Sequence, residues 1–132
     1  MLLYLAEGYL VAGRAEAALP CAQEALTLTK QRAERLFEGH ALQLAAEAAS
    51  CADPQDLDTC EEWFRSAIKV FDEGSARPYL ARCHLAFGAF YRRIGRRQET
   101  ERHLTTAAAM FNQMGMTYWL EKAEAEIAAL NR

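Results

Sequence analysis

The apolar residues of this 132-residue chain return every three or four positions almost from end to end, interrupted by glycine, by proline or by small polar clusters. That period belongs to amphipathic helices, and no run alternates apolar with polar as a half-buried strand would. Seven helices are predicted. The first covers about residues 2–12 and ends at Gly13; Leu2, Leu5 and Tyr9 make one face and Leu3, Leu10 and Val11 the other, leaving Glu7 as its only charge. A helix apolar nearly all round is buried on both sides. The second, about 15–29, carries Ala18, Leu19, Ala22, Ala25, Leu26 and Leu28 at helical spacing. If it begins at Ala15, Pro20 removes one backbone hydrogen bond and a slight kink follows. The third, about 32–51, turns Leu36, Ala41, Leu44, Ala45, Ala48 and Ala49 inward, tolerates Gly39 as a weak point, and stops at Asp53-Pro54, since the residue before a proline is pushed out of the helical region.

Asp58 with Glu61 three residues later reads as a capping box opening the fourth helix, which exits at Gly74 and whose core is Trp63, Phe64, Ala67, Ile68, Val70 and Phe71. Ser75 and Pro78 mark a new start. The fifth helix reaches Ile94 before Gly95, the sixth spans about 97–114 before Gly115, and Thr117 opens a seventh that runs to about residue 130. Small-residue positions repeat along this series. Ala25-Leu26, Ala67-Ile68 and Ala107-Ala108 stand 42 and 40 residues apart, and Ala18, Cys60 and Thr100 keep the same two intervals. A helix-turn-helix unit returning at that period is the signature of a solenoid, in which small residues let helices approach and Tyr9, Phe64, Phe87 and Tyr91 fill the grooves.

Those residues resemble the tetratricopeptide repeat family. Leu5, Ala6, Tyr9, Gly13, Ala18, Ala25 and Leu26 in the first unit, and Phe87, Gly88, Tyr91, Gly95 and Ala107 in the third, fall where the family wants large, small, aromatic and turn-glycine residues. The middle unit departs from the pattern: Ala46 and Ala49 match less well, and the loop SCADPQDLD replaces the turn glycine. Residues 77–130 further resemble the carboxy-terminal repeat region of bacterial signalling proteins that join an adenylate/guanylate cyclase domain to an AAA-type ATPase domain. No glycine-rich phosphate loop and no pair of metal-binding aspartates in a strand context is present, so the resemblance implies a regulatory tail without its enzyme. The expected fold is an all-α, TPR-like right-handed α-solenoid forming one domain: hairpins at about 1–30, 31–74 and 75–115, then a capping helix at about 117–130.

Composition narrows the function classes. The chain is 52% hydrophobic, enough for one core, and its formal charge of −3 with 25% charged residues neither demands a nucleic acid nor suggests an acidic tail. Cys21, Cys51, Cys60 and Cys83 form no CxxC pair and read as reduced, buried residues of a cytoplasmic protein; Cys51 and Cys60, flanking one loop, are the two placed to pair or share a metal. His40, His84 and His103 are scattered and read as surface or satisfied core side chains. The opening MLLYLAEGYLVAG lacks a basic flank, contains Glu7 and is too short to span a bilayer, which argues against a signal peptide or membrane anchor.

Two charge clusters are candidates for recognition. Arg92, Arg93, Arg96 and Arg97 surround Gly95, with Arg82 about three turns earlier. They read either as solvated complements of a helix C-terminal dipole or as a basic lip for an acidic peptide; no stacking aromatics are interleaved, which argues against RNA or another nucleic acid. Asp53, Asp56, Asp58, Glu61 and Glu62 form the acidic pole, at spacings that do not match a calcium loop, so no metal or other cofactor is expected. The family resemblance implies a concave groove lined by the first helix of each unit: Leu3, Glu7 and Leu10; Gln43, Glu47 and Ser50; Arg82, Leu85, Ala89 and Arg92, with Arg93 beside them. The lysines and asparagines with which family members grip a chaperone's terminal carboxylate are missing from the first two units.

The resulting expectation is a protein-interaction module. A receptor for a small peptide or metabolite in the groove is the alternative, favoured if Arg82, Arg92 and aromatics line a closed cavity, and no nucleophile, base and orienter assemble into an enzyme. The two ends of the stack differ. Trp119, Leu120, Ala123, Ile127 and Leu130 point inward from the seventh helix while Glu121, Lys122, Glu124 and Asn131 face water, a capped end. At the amino end Leu3, Leu10 and Val11 have nothing earlier to cover them; a preceding repeat would do so in a longer parent, and in this chain the expected cover is a second copy, in a two-fold homodimer.

Overall fold

A computed structural model describes residues 2–52 and 56–131, and seven helices account for nearly all of them, with no strand among the described residues. They separate into two compact units, Met1–Gly74 and Ser75–Arg132. The first holds α1 (Leu2–Val11), α2 (Ala15–Gln31), α3 (Arg35–Ala52) and α4 (Leu57–Glu73); the second holds α5 (Arg77–Arg93), α6 (Arg97–Met114) and α7 (Thr117–Leu130). Each helix packs against the next within its unit, and α1 also touches α3, as α5 touches α7. No helix among the described residues is long and apolar enough to cross a membrane.

Four turns share one solution to the problem of ending a helix. Gly13, Gly95 and Gly115 take left-handed φ of 75°, 81° and 68°. At each, the next amide reaches back five residues: Arg14 N–H to the Tyr9 carbonyl at 2.7 Å, Arg96 to Tyr91 at 2.9 Å, Met116 to Phe111 at 2.9 Å. This double closure satisfies carbonyls that the helix leaves without donors. The fourth turn does the same with Ala33, at φ 56°, and Glu34 N–H on the Thr29 carbonyl at 2.9 Å, so α3 starts at Arg35 and not at residue 32. Alanine carries no turn signal, which is why the sequence pattern runs past it. Gly74 differs from expectation too: its φ is −84°, and Ser75 takes the left-handed place at 54°.

The helix starts correct one more expectation. The N-terminus of α4 is Leu57 with Asp56 before it, no side chain caps it, and Asp58 lies inside the first turn; Glu61 is held instead by Arg65 Nη2 at 2.9 Å. The expected capping box is therefore absent. Pro20 sits at the sixth position of α2, which does begin at Ala15, and the Glu16 carbonyl lacks the amide that another residue would supply there.

Small residues dominate the amino-terminal unit's interior. Ala6, Ala22 and Ala45, one from each of α1, α2 and α3, are fully buried together, with Leu19, Cys21, Leu44 and Trp63 packed on them. Facing alanines let backbones come close, and the bulk is supplied from α4 by Phe64, Val70 and Phe71. Gly39 is one consequence of that closeness: a Cβ there would stand 2.8 Å from Phe71 Cε1. Leu36, expected inside, is 41% exposed, one turn before the buried stretch of α3 begins. In the carboxy-terminal unit Ala81 and Leu85 of α5, Leu104, Ala107, Met110 and Phe111 of α6 and Ala123 of α7 form the core, with Trp119, Leu120 and Ile127 packed on it from α7. Glu121, Lys122 and Glu124 of α7 and Asn131 just beyond it are exposed.

Candidate functional site

On α1 only Ala6 is buried. With 3.6 residues per turn, Leu2, Leu3, Tyr9 and Leu10 all fall within about 60° of Ala6, and Tyr4, Gly8 and Val11 lie opposite. Burial follows this wheel. Leu3 and Leu10 are half-buried, whereas Tyr4 is 80% and Val11 85% exposed. The uncovered apolar face is thus Tyr4, Gly8 and Val11, not Leu3, Leu10 and Val11: Leu3 and Leu10 belong to the side that α2 and α3 take up. Glu7 is exposed beside this face.

The α3 candidates form a short polar run along their own helix. Gln43 Nε2 donates to Glu47 Oε2 at 3.4 Å, and Ser50 Oγ donates to the Glu47 carbonyl at 2.8 Å. Both Gln43 and Glu47 are half-buried. An open cavity of about 540 Å³ occurs in this unit, lined by residues 13–17 and by Cys51 and Ala52. It lies at the turn between α1 and α2 and the end of α3; Gln43 and Glu47 do not line it. Arg14, in its wall, stands over the Tyr9 ring at 5.0 Å.

In the carboxy-terminal unit, Arg82, Leu85, Ala89 and Arg92 recur three or four residues apart, and α7 lies along that stripe. Arg82 stacks on Trp119 at 4.4 Å from the ring centre, and Arg92 Nε donates to Glu126 Oε2 at 2.7 Å. Leu85, assigned to the groove by family spacing, is only 8% exposed and sits in the core with Ala123; Ala89 is half-buried. Arg93 is exposed at the end of α5. The other two arginines around Gly95 also have partners. Arg96 donates to Glu99 Oε1 at 2.7 Å and lies over Tyr91, and Arg97 donates to the Leu130 carbonyl at 3.0 Å and to Asn131 Oδ1 at 2.9 Å. The hydrogen bond from Arg96 holds the Glu99 carboxyl below its ordinary range.

Of the acidic residues, Asp53 lies outside the described residues, Asp56 precedes α4, and Glu61 is engaged by Arg65. Among the described residues no three His, Cys, Asp or Glu side chains stand together where they could hold a metal ion. All four cysteines are thiols; Cys60 and Cys83 are buried, Cys21 is half-buried, and Cys51, expected inside, is exposed at the end of α3. No protein-family model matches the chain, and no curated protein matches it.

One pair escaped the sequence reading. His84 on α5 and His103 on α6 bring their Nδ1 atoms to 2.9 Å. The signal was available only in outline: His84 stands eleven residues before Gly95 and His103 eight after it, on the two arms of one antiparallel hairpin. Scattered in sequence, they are neighbours once that turn closes.

Proposed function

We propose that this chain is a protein-interaction module of the tetratricopeptide-like helical-repeat kind, a cytoplasmic regulatory or signalling tail with no catalysis of its own, and that it associates with a second copy through α1. What supports the reading is the outward face of α1. Tyr4 and Val11 stand in water at 80% and 85% exposure with Gly8 midway between them, and nothing lies within 4 Å of where a Gly8 Cβ would be. Apolar area left in water forfeits roughly 25 cal/mol per Å². The face is also self-complementary. In a two-fold crossing of two α1 helices at Gly8, Tyr4 of each copy meets Val11 of the other, and the missing side chain lets the backbones approach. Light scattering should give about twice the 14.8 kDa chain mass, and Tyr4→Glu with Val11→Glu should give single chains that keep their helicity. Wild type that stays at single-chain mass at high micromolar concentration refutes the association.

The second reading is a receptor for a small peptide or metabolite. The open cavity at the α1–α2 turn is the observation in its favour, and its lining residues, Gly13 to Ala17 with Cys51 and Ala52, differ from the arginine-lined groove that the resemblance implies.

A further inference from the structure

The imidazoles of His84 and His103 meet head-on through their Nδ1 atoms. Their ring centres are 5.2 Å apart and their planes 27° from parallel. The centre-to-centre separation exceeds the 2.9 Å between the Nδ1 atoms by about two ring radii, so each nitrogen points along the line to the other. That alignment suits a hydrogen bond from one Nδ1–H to the lone pair of the second Nδ1. It does not suit a shared metal, for two metal–nitrogen bonds of about 2.0–2.1 Å laid along one line span more than this gap. The ligand that fits between the rings is a proton.

The pair is held in an aromatic stack. His103 is 8% exposed, with Phe87 at 4.5 Å and Tyr91 at 5.6 Å between ring centres, and Phe87 in turn stacks on Tyr91 at 4.5 Å. His84, Phe87 and Tyr91 stand at helical spacing on the face of α5 turned to His103. The titratable and charged groups nearby in this unit are Cys83 and Tyr91 on α5, and on α6 Glu99, one turn before His103, and Arg102, immediately before it, with Glu99 held by Arg96, which also lies over Tyr91. From α7, Lys122 stands over Tyr118 and Trp119, and Glu126 takes Arg92.

We propose that His84 and His103 form a one-proton latch that keeps the α5–α6 hairpin closed in neutral solution and loosens it when both imidazoles are protonated. A neutral pair has one Nδ1–H and one Nδ1 acceptor. Adding one proton leaves that bond intact, because the imidazolium still donates to a neutral neighbour. Adding the second puts hydrogen on both Nδ1 atoms, removes the acceptor of that bond and sets two cations face to face. The unfolded chain accepts both protons below the ordinary histidine range, so there it binds about one more than the folded pair, and stability falls as pH falls.

Two measurements test the latch. Nitrogen–proton NMR of wild type at pH about 8 should find one of the two rings in the Nδ1–H tautomer and the other in the Nε2–H tautomer; both rings in the Nε2–H form would overturn it. The folding equilibrium constant should also fall with acid more steeply in wild type than in His84→Gln, by up to about tenfold per pH unit below pH about 6. Equal acid slopes in the two proteins would overturn it as well. The NMR measurement needs no variant, so a His84→Gln chain that fails to fold leaves the proposal open to refutation.

Discussion

Gly88 sits at a close approach of α5 to Leu104 of α6, and adding one methyl there tests the packing of the carboxy-terminal unit. A Cβ at this position would lie 2.8 Å from Leu104 Cδ2, 2.9 Å from Leu104 Cγ and 3.4 Å from the Leu104 amide nitrogen. Ordinary carbon–carbon contact is about 3.5–4.0 Å, so two atoms overlap by more than half an ångström. Cδ2 is the end of a side chain and can rotate. Cγ moves only by rotation about the Cα–Cβ bond, and Leu104 is fully buried, so relief requires a new rotamer in a packed core or a shift of α6. Overpacking of this kind costs about 1–3 kcal/mol, against a gain of about 1 kcal/mol from replacing a helical glycine by alanine. Gly88→Ala should therefore lose up to about 2 kcal/mol net, or up to roughly 7 °C in melting temperature. Thermal and urea unfolding followed by circular dichroism would read this. The same substitution in a Leu104→Ala background, itself weaker by about 2–5 kcal/mol, should become neutral or stabilising, because the methyl then enters space that Leu104 vacated. If Gly88→Ala is more stable than wild type by the full helix gain of about 1 kcal/mol, or changes stability by the same amount in both backgrounds, the close approach of α5 and α6 is wrong.

Two further outcomes follow from backbone geometry and charge. Ala33→Gly should stabilise by about 0.5–1 kcal/mol in thermal unfolding, since an alanine at φ 56° carries left-handed strain that exceeds the entropy glycine loses, and Gly95→Ala, at φ 81°, should shift stability the other way. Arg96 lowers the folded-state Glu99 carboxyl below its unfolded value, so its contribution is present above the ordinary glutamate range and is lost as pH falls through the lowered value. Glu99→Gln should accordingly melt slightly below wild type near neutral pH and match it in strong acid, and the gap should also close in high salt.

The turns show what a single sequence carries and what it does not. Gly13, Gly95 and Gly115 were legible because a left-handed residue is nearly always glycine, and each stands where an apolar helical run stops. Ala33 makes the same hydrogen bonds without that mark, and Ser75 takes the role that adjacent Gly74 was expected to fill. The Asp58 and Glu61 pattern had the right spacing for a capping box and the wrong phase, as α4 already begins at Leu57. Core positions were legible where the pattern meets one neighbour, as at Phe64 and Phe71 of α4, which packs on α3. They were less so on α1, where inward and outward leucines differ only by their angle from Ala6.

The arginines around Gly95 explain why the candidate site was harder to read than the helices. Periodicity says which residues share a face of α5 but not which element lies against it, and the family resemblance assigned Arg82, Leu85 and Arg92 to the lining of a groove. In the folded unit α7 occupies that face. Arg92 is bonded to Glu126, and Arg97, at the start of α6, meets the last carbonyl of α7, an acceptor that would otherwise lack a donor. Exposed pairs of this kind add at most about 1 kcal/mol each, so their main effect is on placement: they set α7 in one register along α5 and α6. An acidic partner docking on Arg92 has to displace Glu126 first and gains only the difference between two carboxylates. A partner docking on α1 displaces only water from Tyr4 and Val11, and that contrast makes α1 the stronger candidate for recognition.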